Sequence, residues 1–134
     1  QLRPRARVAE AERLCAAGVT SMIDVSDGLA LDLGRLMDAS GTGCLVDPAR
    51  IPVDPALEGL DLDAVPQELA LSGGEDFELL FTIAEEAVDE ARAALEPIGT
   101  ALTRIGTVEG GGRFLGDSPL RRWEERGWDH LRDR

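Results

Sequence analysis

Val19-Thr20-Ser21-Met22-Ile23-Asp24-Val25, then Ser26-Asp27-Gly28, then the run from Leu29 to Gly41, decide the fold class. The first run is short and apolar at Val19, Met22, Ile23 and Val25, which predicts a buried strand. In the last, Leu29, Leu33, Leu36 and Met37 fall at i, i+4, i+7 and i+8, one face of a helix. Asp32, Arg35 and Asp38 are expected on the opposite, polar face, and Gly41 ends the helix. Between strand and helix, Ser26 or Asp27 is placed to cap the helix.

Working outward, Arg3 to Arg7, with Pro4 between, reads as an extended lead-in, followed by a helix over 8–17 that Gly18 stops. Downstream, 43–47 reads as a second strand. The Pro- and Asp-rich stretch 48–66 reads as loop with a short helix inside it. A helix over 67–71 runs into Gly73-Gly74. Phe77, Leu79, Phe81 and Ile83 then alternate as a strand. Residues 85–95 read as a helix, and 102–108 with 112–115 as two strands of a hairpin joined by Glu109-Gly110-Gly111. A last helix over 119–126 breaks at Gly127, before Trp128-Asp129-His130. Strands and helices alternate without β-α-β regularity, so the expected class is α+β: one domain over 1–134, a mixed β-sheet covered by helices.

Composition narrows the chemistry. With 134 residues and 43% hydrophobic content, the chain can bury a core. No apolar run approaches the ~20 residues needed to span a bilayer. Nor does a charged-then-apolar leader open the chain, so a cytoplasmic location is expected. Acidic residues number 26 against 14 basic ones, a formal net charge of -12, and every basic residue is Arg. So acidic a surface repels nucleic acid and anionic membranes, and neither is an expected partner. An anionic substrate would need a divalent cation or a helix N-terminus as mediator. Without Lys there is no G-x-x-x-x-G-K-[ST] loop and no protein-kinase strand lysine. His130 is the only histidine, which excludes H-E-x-x-H metal sites. Cys15 and Cys44 lie far apart among apolar neighbours and are expected to be buried free thiols.

Three segments can carry chemistry. Asp24 and Asp27 flank a tight turn that can aim both carboxylates at one cation, and Mg²⁺ favours such hard oxygen donors while binding substrate phosphates. The simpler reading is that Ser26 or Asp27 only caps the helix, a contribution of about 1 kcal/mol. Ser72-Gly73-Gly74-Glu75-Asp76-Phe77-Glu78 can present Glu75 into a cleft, or serve only as a helix C-cap. Trp128, after the Gly127 break, offers a flat face to an aromatic ligand or pins the chain end to the core. Composition and spacing alone leave an α+β domain with a candidate cation site.

In order and at these separations, the segments resemble the C-terminal half of thiamine-monophosphate kinases. The resemblance rests on Met22-Ile23-Asp24-Val25-Ser26-Asp27-Gly28-Leu29, Ala39-Ser40-Gly41, Ile51-Pro52, the run Leu71 to Thr82, Ile105-Gly106 and Gly127-Trp128-Asp129-His130. It extends over nearly the whole chain; the two long runs are specific and the short pieces weak. Phe77 stands where Tyr is common in the family.

That family is grouped with aminoimidazole ribonucleotide synthetases, selenophosphate synthetases and a hydrogenase-maturation protein. The resemblance implies a C-terminal domain like that of aminoimidazole ribonucleotide synthetase. It implies as well an N-terminal ATP-binding and dimerisation domain outside this chain, and a homodimer when full length. Its implied reaction is Mg²⁺-dependent transfer of the γ-phosphoryl of ATP to thiamine phosphate. Carried over by position, Asp24 and Asp27 resemble magnesium ligands, Ser26 an ATP contact, and Glu75 and Trp128 contacts to the thiamine substrate. The isolated domain is expected to lack kinase activity. Two alternatives stay open: a sibling synthetase, or a non-catalytic acidic domain that binds a cation or a partner protein.

Overall fold

The computed structural model describes residues 4–57 and 65–121. In chain order these form α1 (Val8–Ala16), β1 (Ser21–Val25), α2 (Leu29–Ser40), β2 (Gly43–Val46), α3 (Pro66–Ser72), β3 (Glu78–Thr82), α4 (Val88–Leu95), β4 (Gly106–Glu109), β5 (Arg113–Leu115) and β6 (Ser118–Pro119). The loop after β2 carries two short 3₁₀ turns, Pro48–Arg50 and Pro55–Leu57. The α+β class holds, with the strands divided between a two-stranded ribbon and a four-stranded mixed sheet.

The ribbon pairs β1 with β3 antiparallel, Ile23 opposite Leu80 and Met22 opposite Phe81. Side chains alternate across a strand, so the ribbon buries both faces. Ile23, Val25 and Leu80 join the larger core, where Ala30, Leu33, Leu36 and Met37 of α2 meet Cys44, Val46 and Leu115. Met22, Leu79 and Phe81 pack instead on Leu14 and Ala17 from the α1 end and on Ala91 and Leu95 of α4. Strand alternation thus fixes which core each half of the ribbon serves. Gly41, in the left-handed region at φ 65°, closes α2 by donating to Asp38 O, and Thr42 N–H takes Met37 O.

The four-stranded sheet runs β4-β2-β5-β6. Here the expected hairpin is corrected. β4 and β5 do not pair with each other; β2 lies between them, antiparallel to β4 and parallel to β5. The short connection from Gly110 to Gly112 passes over the start of β2 instead of closing a two-stranded turn. A Cβ on Gly43 would stand 2.0 Å from Gly111 O and 2.4 Å from Gly112 O, so only glycine lets the two backbones cross. The apolar inner face of β2, Cys44 and Val46, gains two strand neighbours that a hairpin would deny it.

Two smaller expectations are also corrected. Pro119, expected to begin a helix, ends β6 opposite Phe114. Cys44 is buried but Cys15 is exposed, since it stands beside Leu14 on α1 while Leu14 turns to the second core; the two are not joined in a disulfide. Among the described residues no helix is long and apolar enough to cross a membrane.

Candidate functional site

The turn after β1 and the segment before β3 arrive at one place because β1 and β3 are partners. Pairing continues past the ribbon's end: Phe77 N–H donates to Val25 O and Glu75 N–H to Ser26 O, both at 2.8 Å. Gly28, at φ 116°, brings α2 against the end of α3, where a Cβ would meet the Ser72 backbone at 3.1–3.2 Å. The two motif segments, nearly fifty residues apart in sequence, are therefore stitched together through their main chains.

Asp24, next to last in β1, lies opposite Leu79 and is exposed, while Ser26 and Asp27 sit half-buried in the turn. Asp27 Oδ2 accepts from Arg35 Nη1 at 2.5 Å. Neither Ser26 nor Asp27 caps α2. The cap residue is Gly28, without a side-chain bond, and the expected cap is corrected because the turn amides are claimed from the other direction. Asp32, one turn into α2, reaches back so that Oδ2 accepts from both Ser26 N–H (2.8 Å) and Asp27 N–H (2.9 Å). Its Oδ1 takes Arg35 Nη1 at 2.7 Å, which leaves Arg35 shared between the two aspartates. These carboxylates are why the Arg35 pKa is raised, Asp27 contributing most and burial opposing.

Asp32 is fully buried, where the helical pattern had assigned it to the polar face. A buried charge is sustainable only when its acceptor positions are filled, as three charge-assisted hydrogen bonds do here. Sequence reasoning missed it because a helical wheel weighs only solvent and core. The available signal was an acid in the first turn of a helix that opens with glycine, directly after turn N–H groups that need acceptors.

The second segment holds unusual backbone. Glu75 and Phe77 have φ of 69° and 52°, the left-handed region that side chains disfavour. The preceding Gly73 has ordinary φ, and its constraint is space: a Cβ would lie 2.5 Å from Leu69 O, whose acceptor its own N–H uses at 2.7 Å. Glu75 is exposed, whereas Asp76 is half-buried; loss of water and then the neighbouring Glu78 raise the Asp76 carboxyl above the usual carboxylate range. Glu78 is itself paired with Arg7, which also bonds Glu10 at 3.1 Å, so the lead-in to α1 is fastened beside this segment. Trp128 lies outside the described residues, as does His130.

The donor set suits a hard cation in kind but not in number. Asp24 and Asp27 supply carboxylate oxygens, yet among the described residues no three His, Cys, Asp or Glu side chains converge as a metal-binding group. Mg²⁺ commonly uses one or two carboxylates and completes its shell with water and phosphate, so a two-carboxylate contribution fits that ion.

The chain is similar to parts of longer proteins. The thiamine-monophosphate kinase of Pyrococcus abyssi is 36% identical over 130 residues, 96% of this chain and 39% of its own length. The crystal structure of thiamine-monophosphate kinase from Stenotrophomonas maltophilia K279a superposes with a TM-score of 0.81 at 36% identity, covering 88% of this chain and 37% of that one. A structure of AaThiL complexed with AMPPCP and TMP matches with a TM-score of 0.77 at 32% identity, over 97% of this chain and 39% of that one. The chain thus spans about two fifths of the length of these relatives. Residues 1–116 match the family described as AIR synthase related protein, C-terminal domain, and the chain belongs to that family.

Proposed function

We propose that the protein containing this chain transfers the γ-phosphoryl group of ATP to thiamine phosphate, and that this chain forms one side of the site. The observation that carries the reading is the main-chain stitching of the Asp24–Asp27 turn to the Glu75 segment. It brings the residues proposed to handle nucleotide within reach of the residue proposed to meet the acceptor. The kinship with thiamine-monophosphate kinases supports the choice of substrate over those of the sibling synthetases.

In the reaction, a phosphate oxygen of thiamine phosphate forms the new bond to the γ-phosphorus as the bond to the β–γ bridging oxygen breaks. The products are thiamine diphosphate and ADP. Both reactants are anions, and the protein adds net charge of the same sign. Phosphoryl transfer therefore depends on positioning and charge neutralisation more than on covalent help from side chains. Mg²⁺, when bound, would screen the facing phosphates, with Asp24 and Asp27 as its ligands from this chain. Ser26 would contact the nucleotide, and Glu75 the thiamine portion of the acceptor, joined by Trp128. For Asp27 to act as a ligand, its carboxylate must exchange or share the Arg35 contact, leaving Arg35 on Asp32. The remaining ATP-binding and dimerisation surfaces belong to an N-terminal domain in the homodimeric full-length protein, which works in the cytoplasm.

The test uses full-length protein carrying Asp24→Asn or Asp27→Asn, with formation of thiamine diphosphate and ADP followed directly. Activity should fall by about 100-fold or more, as expected when a transition-state charge contact is lost. Wild-type turnover in both variants would return the chain to the class of non-catalytic acidic domains. Turnover with a sibling synthetase's substrate in place of thiamine phosphate would move it to that branch.

A further inference from the structure

The turn that bears Ser26 and Asp27 has its backbone claimed on two sides. On one, Val25 O and Ser26 O accept from Phe77 and Glu75. On the other, the Ser26 and Asp27 N–H groups both end on one carboxylate oxygen of Asp32. Ordinary helix capping does not account for this. A capping side chain satisfies the first amides inside a helix, whereas Asp32 satisfies amides that precede α2 and its cap residue Gly28. Its bonds go to the two residues whose side chains the functional reading uses.

We infer that Asp32 is a positioning residue: from full burial it fixes the peptide planes of Ser26 and Asp27, and with Arg35 the direction of the Asp27 carboxylate, so that the turn meets Mg²⁺–nucleotide already formed. The inference rests on the phosphotransfer reading. Its physical content is that a side-chain ligand is no better placed than the backbone that carries it. Arg35 extends the control from main chain to side chain, since one nitrogen, Nη1, bonds both Asp32 Oδ1 and Asp27 Oδ2.

The experiment measures binding of Mg²⁺ with the non-hydrolysable analogue AMPPCP to full-length protein by calorimetry, beside steady-state kinetics and a thermal melt. Asp32→Asn keeps the shape but turns an NH₂ group toward either Arg35 or the two turn amides. Asp32→Glu keeps the charge but moves the carboxylate by one methylene, and serves if the Asn variant does not fold. Each should weaken nucleotide affinity about tenfold or more, the scale at which small misplacements act on a reaction. The KM for thiamine phosphate should rise by a smaller factor than the nucleotide affinity falls, because Glu75 meets Asp32 only indirectly, through the Ser26–Asp27 peptide whose N–H Asp32 binds and whose carbonyl Glu75 uses. A folded variant that melts earlier yet binds AMPPCP as the wild type does would show Asp32 to be structural only and overturn the inference. Asp27→Asn in the same titration separates the two levels. If it too binds as the wild type does, the phosphotransfer reading falls, and the inference with it.

Discussion

Two places in this molecule demand unusual backbone, and they meet the demand in opposite ways. In the four-stranded sheet, β2 passes beneath the β4–β5 connection, and the residue at the crossing is Gly43. Before β3, the left-handed conformations fall on Glu75 and Phe77 although glycines stand close by in the chain. Glycine is the economical answer wherever a side chain has no task. Where a left-handed residue keeps its side chain at a cost of about 1–3 kcal/mol, the strain points to a use for that side chain, and the proposed function assigns one to Glu75. The contrast sets a region fitted for folding beside one that the proposed function reads as fitted for binding.

Gly43→Ala should break the comparison most severely. Its Cβ would overlap two backbone carbonyl oxygens, which cannot swing aside as a flexible side chain can. A loss of about 3 kcal/mol or more is expected, at the upper end of overpacking costs, and a urea titration would record it. A midpoint within error of the wild type would mean that the crossing is looser than described.

Glu75→Gly sharpens the other half of the comparison. Relief of the left-handed strain outweighs the added chain entropy of glycine by about 0.5–1 kcal/mol, so the melting point should rise. Affinity for thiamine phosphate should fall in the same variant. Higher stability with unchanged affinity would remove Glu75 from the proposed site.

The smallest effect belongs to Asp76. Its folded pKa is raised by burial and by Glu78, so the ionised form opposes folding. The stability linked to this group is full below the unfolded value near 3.8 and is lost as pH rises through the higher folded value. Asp76→Asn should therefore raise the melting point slightly at pH 7, with the gain vanishing by about pH 3.5. A variant less stable at pH 7 would show that the ionised carboxylate is favourably solvated where it stands.

Much of this was legible in the residues. Periodicity placed α1, β1, α2, β2 and β3 to within a few residues, since each buries one face or stripe and its apolar spacing records that. Strand order was not legible. The segments 106–109 and 113–115 look like a hairpin because a short Gly-rich link joins them, and nothing local states that β2 intervenes. Within the candidate site, residue type and spacing offered Asp24 and Asp27 as a carboxylate pair beside a simpler capping reading, while the nucleotide and substrate roles proposed for Ser26 and Glu75 came from the family resemblance. Asp32 and Arg35 did not, because their importance comes from which amides and carboxylates they face after the helix has formed.

The position of β2 also sets an order of events. Both of its strand neighbours come from residues beyond 105, so as the chain emerges from the ribosome β2 has no partner from the sheet. Until then the inner side chains Cys44 and Val46 have α2 and the earlier members of the larger core, such as Val25, Ile51 and Leu80, to rest on, but no strand beside them, and nothing yet bridges Gly43. Pairings so distant in sequence form slowly, because loop closure comes before the contacts that reward it. The exposed interval for β2 is therefore the delay before residues 106–115 arrive. A chaperone that shields 43–46 would act there, well before any nucleotide is met.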